Sequence, residues 1–196
     1  MSRSVTSRLL PGLLLSLGLC SQSGAAMAED TSALASEARS VVQQFSGTLR
    51  KALKSALETG GPVAAIEVCN LKAPGIAEQL SEATGWQVGR TAFKLRNPKN
   101  VPDDWEGSVL TTFANRAAAG EDITKIEQTE VVERDGHKTF RFMKAIPTAE
   151  LCVTCHGTSL KPEIQARLNE LYPTDQATGF AVGDLRGAFT LSKRLD

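Results

Sequence analysis

The sequence predicts a single α+β domain in which helices come first and a mainly antiparallel sheet follows. Apolar residues recur every three or four positions through residues 34–57, which is the spacing of an amphipathic helix. From Ile123 the spacing changes to two, which is typical of strands with one buried face. Asp135-Gly136 separates two such alternating segments and is a frequent hairpin turn. A length of 196 residues also fits one domain.

Residues 1–28 have the features of a cleavable signal peptide. Two arginines lie before or next to the apolar run Leu9–Leu19, which is far shorter than the ~20 residues that span a bilayer. Ala26-Met27-Ala28 is the small-residue cleavage pattern, so we predict cleavage after Ala28. The remaining domain, residues 29–196, is expected to be a periplasmic protein that spans no membrane.

The charge balance argues against a nucleic-acid partner, because the chain carries 22 basic and 22 acidic side chains. Loss of the two signal-peptide arginines changes the net charge only to −2. Apolar residues make up 41% of the sequence, which excludes a disordered chain. Cleavage leaves Cys69, Cys152 and Cys155, and an odd number of cysteines in an oxidising compartment argues against a framework of disulfides.

Helices are predicted for most of the first half of the domain. Thr31 or Ser32 caps a long amphipathic helix that ends at a pair of glycines. A second helix begins at Pro62, because proline is favoured in a first helical turn. Pro74 disfavours helical geometry at the residue before it, so we expect a break there, followed by a short third helix.

Strands and shorter helices are predicted for the second half. Asp103-Asp104 caps a helix that ends near Ala119. The other predicted elements are strands at about 86–95, 124–134, 138–146 and 186–194, a helical turn after Thr148, and a helix at about 162–172.

The pattern Cys152-Val-Thr-Cys155-His156 is the strongest chemical signal in the sequence, because it matches the attachment site of c-type haem. Cysteines three apart project from the same side of one helical turn, so both sulfurs can add to the two vinyl groups of one haem. The adjacent His156 can then turn toward the iron as an axial ligand. The predicted cofactor is one covalently attached haem c.

Other uses of two cysteines and a histidine fit this pattern less well. A zinc site needs a second Cys/His pair, which the sequence lacks. A redox dithiol suits an exported protein but gives His156 no required role. A disulfide between Cys152 and Cys155 would be strained across so short a loop.

Haem iron takes two axial ligands, and the domain offers three donors besides His156. His137 follows the hairpin turn and is expected to be solvated. Met143 lies on the strand face opposite two phenylalanines and is expected to pack in the core. Cys69 is either an ordinary buried thiol or an axial ligand. It lies near the C-terminal, negative end of a helix, which disfavours a thiolate, so Cys69 would become an anion only beside a cation such as ferric iron. The residues alone leave both interpretations of Cys69 open.

Several short motifs stand in order along the domain. They are Ala65-Ile-Glu-Val-Cys69 with Ala73-Pro74, Arg96-Asn97-Pro98 with Asn100 and Trp105-Glu106, Cys152 to Gly157, Tyr172-Pro173 with Asp175-Gln-Ala-Thr-Gly179, and Gly183-Asp-Leu-Arg-Gly187. Together they resemble the exported mono-haem c-type proteins with a PAS-like fold, a family of cyanobacterial photosystem-associated haem proteins and periplasmic haem sensor domains.

This resemblance implies a PAS-like central antiparallel sheet flanked by helices, with a haem attached through Cys152 and Cys155 and ligated by His156. It also implies that Cys69 is the second axial ligand. In sensor kinases and chemoreceptors a membrane helix and an effector follow such a domain, whereas this chain ends at Asp196. We therefore expect any signalling to pass through an unidentified redox or signalling partner.

Cys/His ligation predicts a redox or gas sensor. A thiolate ligand lowers the reduction potential relative to a Met/His cytochrome, and reduction weakens the preference of iron for an anion, so Cys69 is expected to yield to CO or NO. A small, soluble, low-potential electron-transfer cytochrome c is the alternative.

Arg96 is a candidate contact for a haem propionate, with a solvated loop charge as the other interpretation. The sequence contains no pair of nucleophile and base that indicates an enzyme. The apolar face of the long first helix could pack against a second copy in a homodimer or against its own sheet.

Overall fold

The computed structural model describes Met1 and residues 23–196, with side chains described from Asp30 onward. Most of the predicted signal peptide lies outside these residues. The helices are α1 (Ser23–Glu67), α2 (Ala73–Thr84), α3 (Asp104–Ala118), α4 (Glu150–His156) and α5 (Pro162–Leu171), and the strands are β1 (Gln87–Thr91), β2 (Glu127–Arg134), β3 (His137–Pro147) and β4 (Leu185–Arg194). Within the described part of the chain, no helix has the length and apolar character needed to cross a bilayer.

The four strands form one antiparallel sheet in the order β1-β4-β3-β2. Asp135 and Gly136 join β2 to β3 with positive φ angles of 53° and 78°, the backbone geometry that favours an Asp-Gly hairpin. The last strand of the chain therefore lies inside the sheet, between the first strand and the hairpin. The prediction of an α+β fold with an antiparallel sheet and a long N-terminal helix is confirmed.

Helices cover both faces of the sheet. On one face, Val41 of α1 packs in a cluster with Phe142 and Leu191, and on the other, Phe113 of α3 packs with Met143. Phe142 and Met143 are neighbours in β3 and reach opposite faces because side chains alternate along a strand. The second half of α1 extends past this core, and the space between it and the end of the sheet becomes the cavity described below.

The long first helix departs from its predicted ends. It begins at Ser23, upstream of the predicted cap at Thr31 or Ser32. The helix was predicted to end at the two glycines, but α1 continues past them through a kink. Gly61 has φ 68° and ψ −168° there, and the helix resumes at Pro62. Glycine is suited to this position because it has no Cβ to clash at positive φ.

The break expected before Pro74 is wrong. Ala73 is helical, with φ −62° and ψ −40°, and its amide donates to the carbonyl of Val68, five residues back. This bond closes a π-helical turn, Val68–Lys72, which joins α1 to α2 without a break. Pro74 lies directly after this turn, as the second residue of α2.

Strand β1 is shorter than its predicted extent of 86–95 and ends at Thr91. The chain leaves the sheet there and forms a loop with a 3₁₀ turn at Pro98–Asn100. The hydroxyl of Thr91 holds this loop by donating to the carbonyl of Asn100 at 3.1 Å. The loop places Arg96 against the helix that carries the haem-attachment pattern.

Candidate functional site

A cavity of about 590 Å³ lies between the second half of α1, the end of the sheet and α4. Its volume is in the range of small-molecule and cofactor sites, roughly 300–1,000 Å³. Leu49, Leu53 and Leu57 of α1 supply part of its apolar wall. All five site residues predicted from the sequence line this one cavity: Cys69, Arg96, Cys152, Cys155 and His156.

Helix α4 consists of little more than the attachment pattern. Because Cys152 and Cys155 are one helical turn apart, both thiols reach the cavity from the same side. Gly157 ends the helix by donating from its amide to the carbonyl of Val153 at 2.9 Å. A Cβ at position 157 would lie 2.4 Å from that same carbonyl oxygen, so only glycine fits after the histidine.

The imidazole of His156 is held in one tautomer. Its Nδ1 lies 2.6 Å from the carbonyl oxygen of Ala177, and because a carbonyl can only accept, Nδ1 carries the proton. Burial, followed by the charges of Arg186 and Arg96, lowers the pKa of His156 to about 3. The ring is therefore neutral, with a lone pair on Nε2, which is the state in which histidine ligates a metal.

A buried ion pair lies beside the histidine. The side chains of Arg96 and Asp175 are 8% and 7% exposed, and Nη2 of Arg96 lies 2.9 Å from Oδ2 of Asp175. Nη2 of Arg96 also donates to the carbonyls of Cys155 at 2.6 Å and Ala177 at 3.2 Å. Nη1 of Arg96 lies 3.4 Å from Nε2 of His156. The hydrogen bonds of Arg96 thus go to protein groups, and its contact with a propionate stays a prediction.

Cys69 enters the cavity from the π-helical turn. Burial raises the pKa of its thiol, whereas the charges of Arg90, Arg96 and Arg186 lower it. The pKa of Cys155 is also raised, mainly by burial, and Cys69 contributes to that rise. Cys69 is therefore close enough to α4 to interact electrostatically with Cys155, although 86 positions separate the two in the sequence.

Comparison with known proteins agrees with this architecture. A family model described as Tll0287-like matches residues 23–193. The chain belongs to the Tll0287-like family. The crystal structure of the cyanobacterial haem protein Tll0287 superposes with a TM-score of 0.62 at 25% sequence identity, covering 86% of this chain and 96% of that chain. No curated protein matches the sequence.

The cavity of this Tll0287-like domain also holds residues that sequence reasoning missed. Arg90 and Arg186 line it from β1 and β4, and Tyr172 lines it after α5. Burial, followed by the charge of Cys69, raises the pKa of Tyr172 to about 12. Tyr172 and Arg186 both belong to the short motifs of the sequence, which was an available signal, whereas Arg90 lies in no motif.

Phe180 is a further missed residue of this Tll0287-like site. Its ring meets the ring of His156 edge to face, with centroids 6.3 Å apart. Nζ of Lys94 and Cζ of Arg186 lie 4.9 Å and 5.2 Å from its centroid. Phe180 therefore adds an apolar contact that helps to fix the plane of the imidazole.

The other two candidate donors lie away from the cavity. His137 is exposed at the hairpin, where its Nδ1 is 3.1 Å from the carboxylate of Asp196. Met143 is fully buried between the sheet and α3. Of the four axial donors considered from the sequence, Cys69 and His156 line the cavity, and His137 and Met143 do not.

Proposed function

We propose that this chain binds one haem covalently and acts in the periplasm as a redox or gas sensor. The observation that carries the proposal is the meeting of four groups, Cys69, Cys152, Cys155 and His156, in a single apolar cavity. Membership of the Tll0287-like family supports it, because the solved relative is a haem protein.

The residues of the cavity fit a haem. Leucines of α1 offer an apolar surface to a flat macrocycle, and His156 is neutral and fixed in one tautomer. Nε of Arg186 is buried and has no hydrogen-bond partner in the described structure, which suits an anionic group of a ligand. A haem bound here would supply an iron that changes oxidation state and takes two axial ligands.

Cys152 and Cys155 provide the covalent attachment. Each thiol would hold the haem by adding to one of its vinyl groups, with the thiol hydrogen passing to the neighbouring carbon, so no oxidant would be needed. His156 would hold the iron through Nε2. Because its Nδ1–H donates to Ala177, the imidazole is a better electron donor and keeps its orientation.

Cys69 is the part of the site that we propose to move. As a thiolate it lowers the reduction potential and favours the ferric state. Once a redox partner had supplied one electron to the haem, Cys69 would be favoured as a neutral thiol, with its proton taken from solvent, and would leave room in the cavity for CO or NO. Its place in a π-helical turn supports this role, because such turns are rare and occur frequently at functional sites.

Spectra of the purified holoprotein test this proposal, with ferric and ferrous forms measured with and without CO. We expect a haem c spectrum, a thiolate-ligated ferric form, and CO binding only after reduction. Cys69→Ser should alter the ferric absorption and EPR spectra, whereas Met143→Leu and His137→Asn should leave both unchanged. Ferric spectra of Cys69→Ser identical to those of the wild type would end the hypothesis.

Mass spectrometry of the intact protein from the periplasm tests export and attachment together. We expect one species that begins at Glu29 and carries the mass of one haem, with the haem retained after denaturation. A chain that keeps residues 1–28, or one that releases its haem on denaturation, would contradict these parts of the proposal.

A small electron carrier is the second candidate function. Helix α4 contributes no buried residue, and Leu151, next to the first attachment cysteine, is 42% exposed. An exposed haem edge at this helix would favour electron transfer. Fast electron self-exchange without CO binding would support the carrier, whereas slow self-exchange with CO binding would support the sensor.

A further inference from the structure

Two arginines of the sheet line the cavity without a carboxylate partner. Arg90 lies on β1, opposite Phe189 of β4, and Arg186 lies on β4 itself. The described residues include no ion pair of either arginine, whereas Arg96, which also lines the cavity, is paired with Asp175. These three arginines therefore share one acidic side chain.

The hydrogen-bonding capacity of both guanidinium groups is largely unused. Arg186 donates from Nη1 to the carbonyl of Lys94 at 3.2 Å, and its Nε is buried without a partner. The guanidinium group of Arg90 has no hydrogen bond to any described group and lies with Cζ 5.6 Å from the ring centroid of Phe45. Burial lowers the pKa of both arginines. The buried Nε of Arg186 and two half-buried charges without a carboxylate partner are unfavourable, so the site is suited to an anion.

An irregularity in the sheet gives Arg186 access to the cavity. Residues three apart on a regular strand reach opposite faces, yet Arg186 and Phe189 both line the cavity. The register between β3 and β4 shifts between Ile146 and Pro147. At the same point Gly187 has φ 154°, and a Cβ there would lie 2.5 Å from the carbonyl oxygen of Thr91. The close approach of two strands at this glycine is therefore part of how the site is built.

We propose that Arg90 and Arg186 form a binding site for the carboxylates of a flat, apolar ligand. The identity of that ligand rests on the proposed function: the carboxylates are the two propionates of the haem. Arginine suits this role because its planar guanidinium can bind a carboxylate through two parallel hydrogen bonds. We assign the propionate contact to Arg90 and Arg186 instead of Arg96, because the hydrogen bonds of Arg96 go to protein groups around His156. Arg96 remains the residue that positions His156.

Resonance Raman spectra and reduction potentials of the holoprotein test this assignment. Arg90→Gln and Arg186→Gln, made singly, should each shift the propionate bending bands. Each should also lower the potential, because a positive charge that opposes the ferric state is lost. Arg90→Lys and Arg186→Lys keep the charge but not the planar pair of donors, so their potentials should stay near that of the wild type while the bands still shift. If a glutamine variant does not accumulate with haem, the lysine variant supplies the Raman measurement.

Arg134→Gln is the control, because Arg134 is exposed at the end of β2, does not line the cavity, and its loss removes the same charge. It should change neither the bands nor the potential. Propionate bands that are unchanged in every Arg90 and Arg186 variant would overturn the assignment while leaving haem binding intact. A wild-type protein that holds no haem would overturn the proposed function, and this inference with it.

Discussion

The Nδ1 atom of His156 lies 2.6 Å from the carbonyl oxygen of Ala177, and the same oxygen accepts a hydrogen bond from Arg96. Asp175 completes the arrangement, because its Oδ2 accepts from Arg96 and its Oδ1 accepts from the amide of Ala177 at 2.8 Å. One carboxylate thus fixes both the arginine beside the histidine and the carbonyl that accepts from its Nδ1.

Asp175→Asn should weaken this arrangement strongly. The amide can still accept from Ala177, but Arg96 would be left buried without a counter-charge, which costs about 3–5 kcal/mol in comparable buried pairs. We expect a loss of that size in the free energy of unfolding by guanidinium, and a broadened ferric EPR spectrum because the histidine plane is less fixed. Asp184→Asn is the control, since Asp184 accepts from the amide of Ala181 in a similar turn but is exposed and pairs with no arginine in the described structure. Equal losses in the two variants would contradict the role of the ion pair.

Two glycine substitutions should have opposite effects. Gly157→Ala places a Cβ against the carbonyl of Val153, so α4 must shift, with a cost of about 1–3 kcal/mol and a lower yield of attached haem. Gly75→Ala, inside α2, meets no atom within 4 Å and should stabilise the protein by about 0.5–1 kcal/mol. Thermal unfolding and haem content of both variants check this. A Gly157→Ala protein with normal haem content would show that the helix end adapts freely.

Acid stability should depend on Glu127. Burial raises the pKa of this carboxyl, but hydrogen bonding and charge from Arg39, with a contribution from Lys144, outweigh burial and lower it overall. Because the folded pKa lies below the unfolded one, the stabilisation is present at neutral pH and is lost as the pH falls through the folded pKa. Glu127→Gln should therefore cost about 1 kcal/mol at pH 7 and much less at ~pH 3, as measured by urea unfolding. Glu133→Gln, at an exposed position of the same strand, is the control. An equal loss of stability in that variant would argue against the pair of Glu127 and Arg39.

The first turn of α3 should depend on Asp103 rather than on its neighbour. Asp103 accepts from the amide of Glu106 at 2.8 Å, and Glu106 accepts from the amide of Asp103 at 3.1 Å. Asp103→Ala removes this cap and an ion pair with Arg141, so we expect a loss of about 1–2 kcal/mol in the free energy of unfolding. Asp104→Ala is the comparison, and a larger loss there would place the cap one residue later.

Features set by short stretches of chain were predictable from the sequence. The cap at Asp103, the Asp135-Gly136 hairpin and the helical turn that carries Cys152 each depend on fewer than ten consecutive residues. Local preferences decide such elements, so their positions follow from residue type and spacing alone.

Features set by strand register or by distant contacts were not predictable in this way. Arg96 and Asp175 are 79 residues apart, and nothing in either segment indicates that they meet. Arg90 and Arg186 reach the same cavity only because β4 pairs with β1 and the register shifts at Pro147. The π-helical turn was missed because Pro74 suggests a break, whereas one longer hydrogen bond is enough to continue the helix.

That π-helical turn also sets the rotational phase between the helices on either side. One extra residue in a helix rotates all later side chains by about 100° around the helix axis, since an α-helix has 3.6 residues per turn. Ile66 before the turn and Ala73 after it are both buried, and Cys69 between them reaches the cavity. Deleting one residue from Val68–Lys72 would restore an ordinary helix and rotate either Cys69 or the buried side of α2 out of place. The length of this five-residue segment is therefore as constrained as the identity of the cysteine within it.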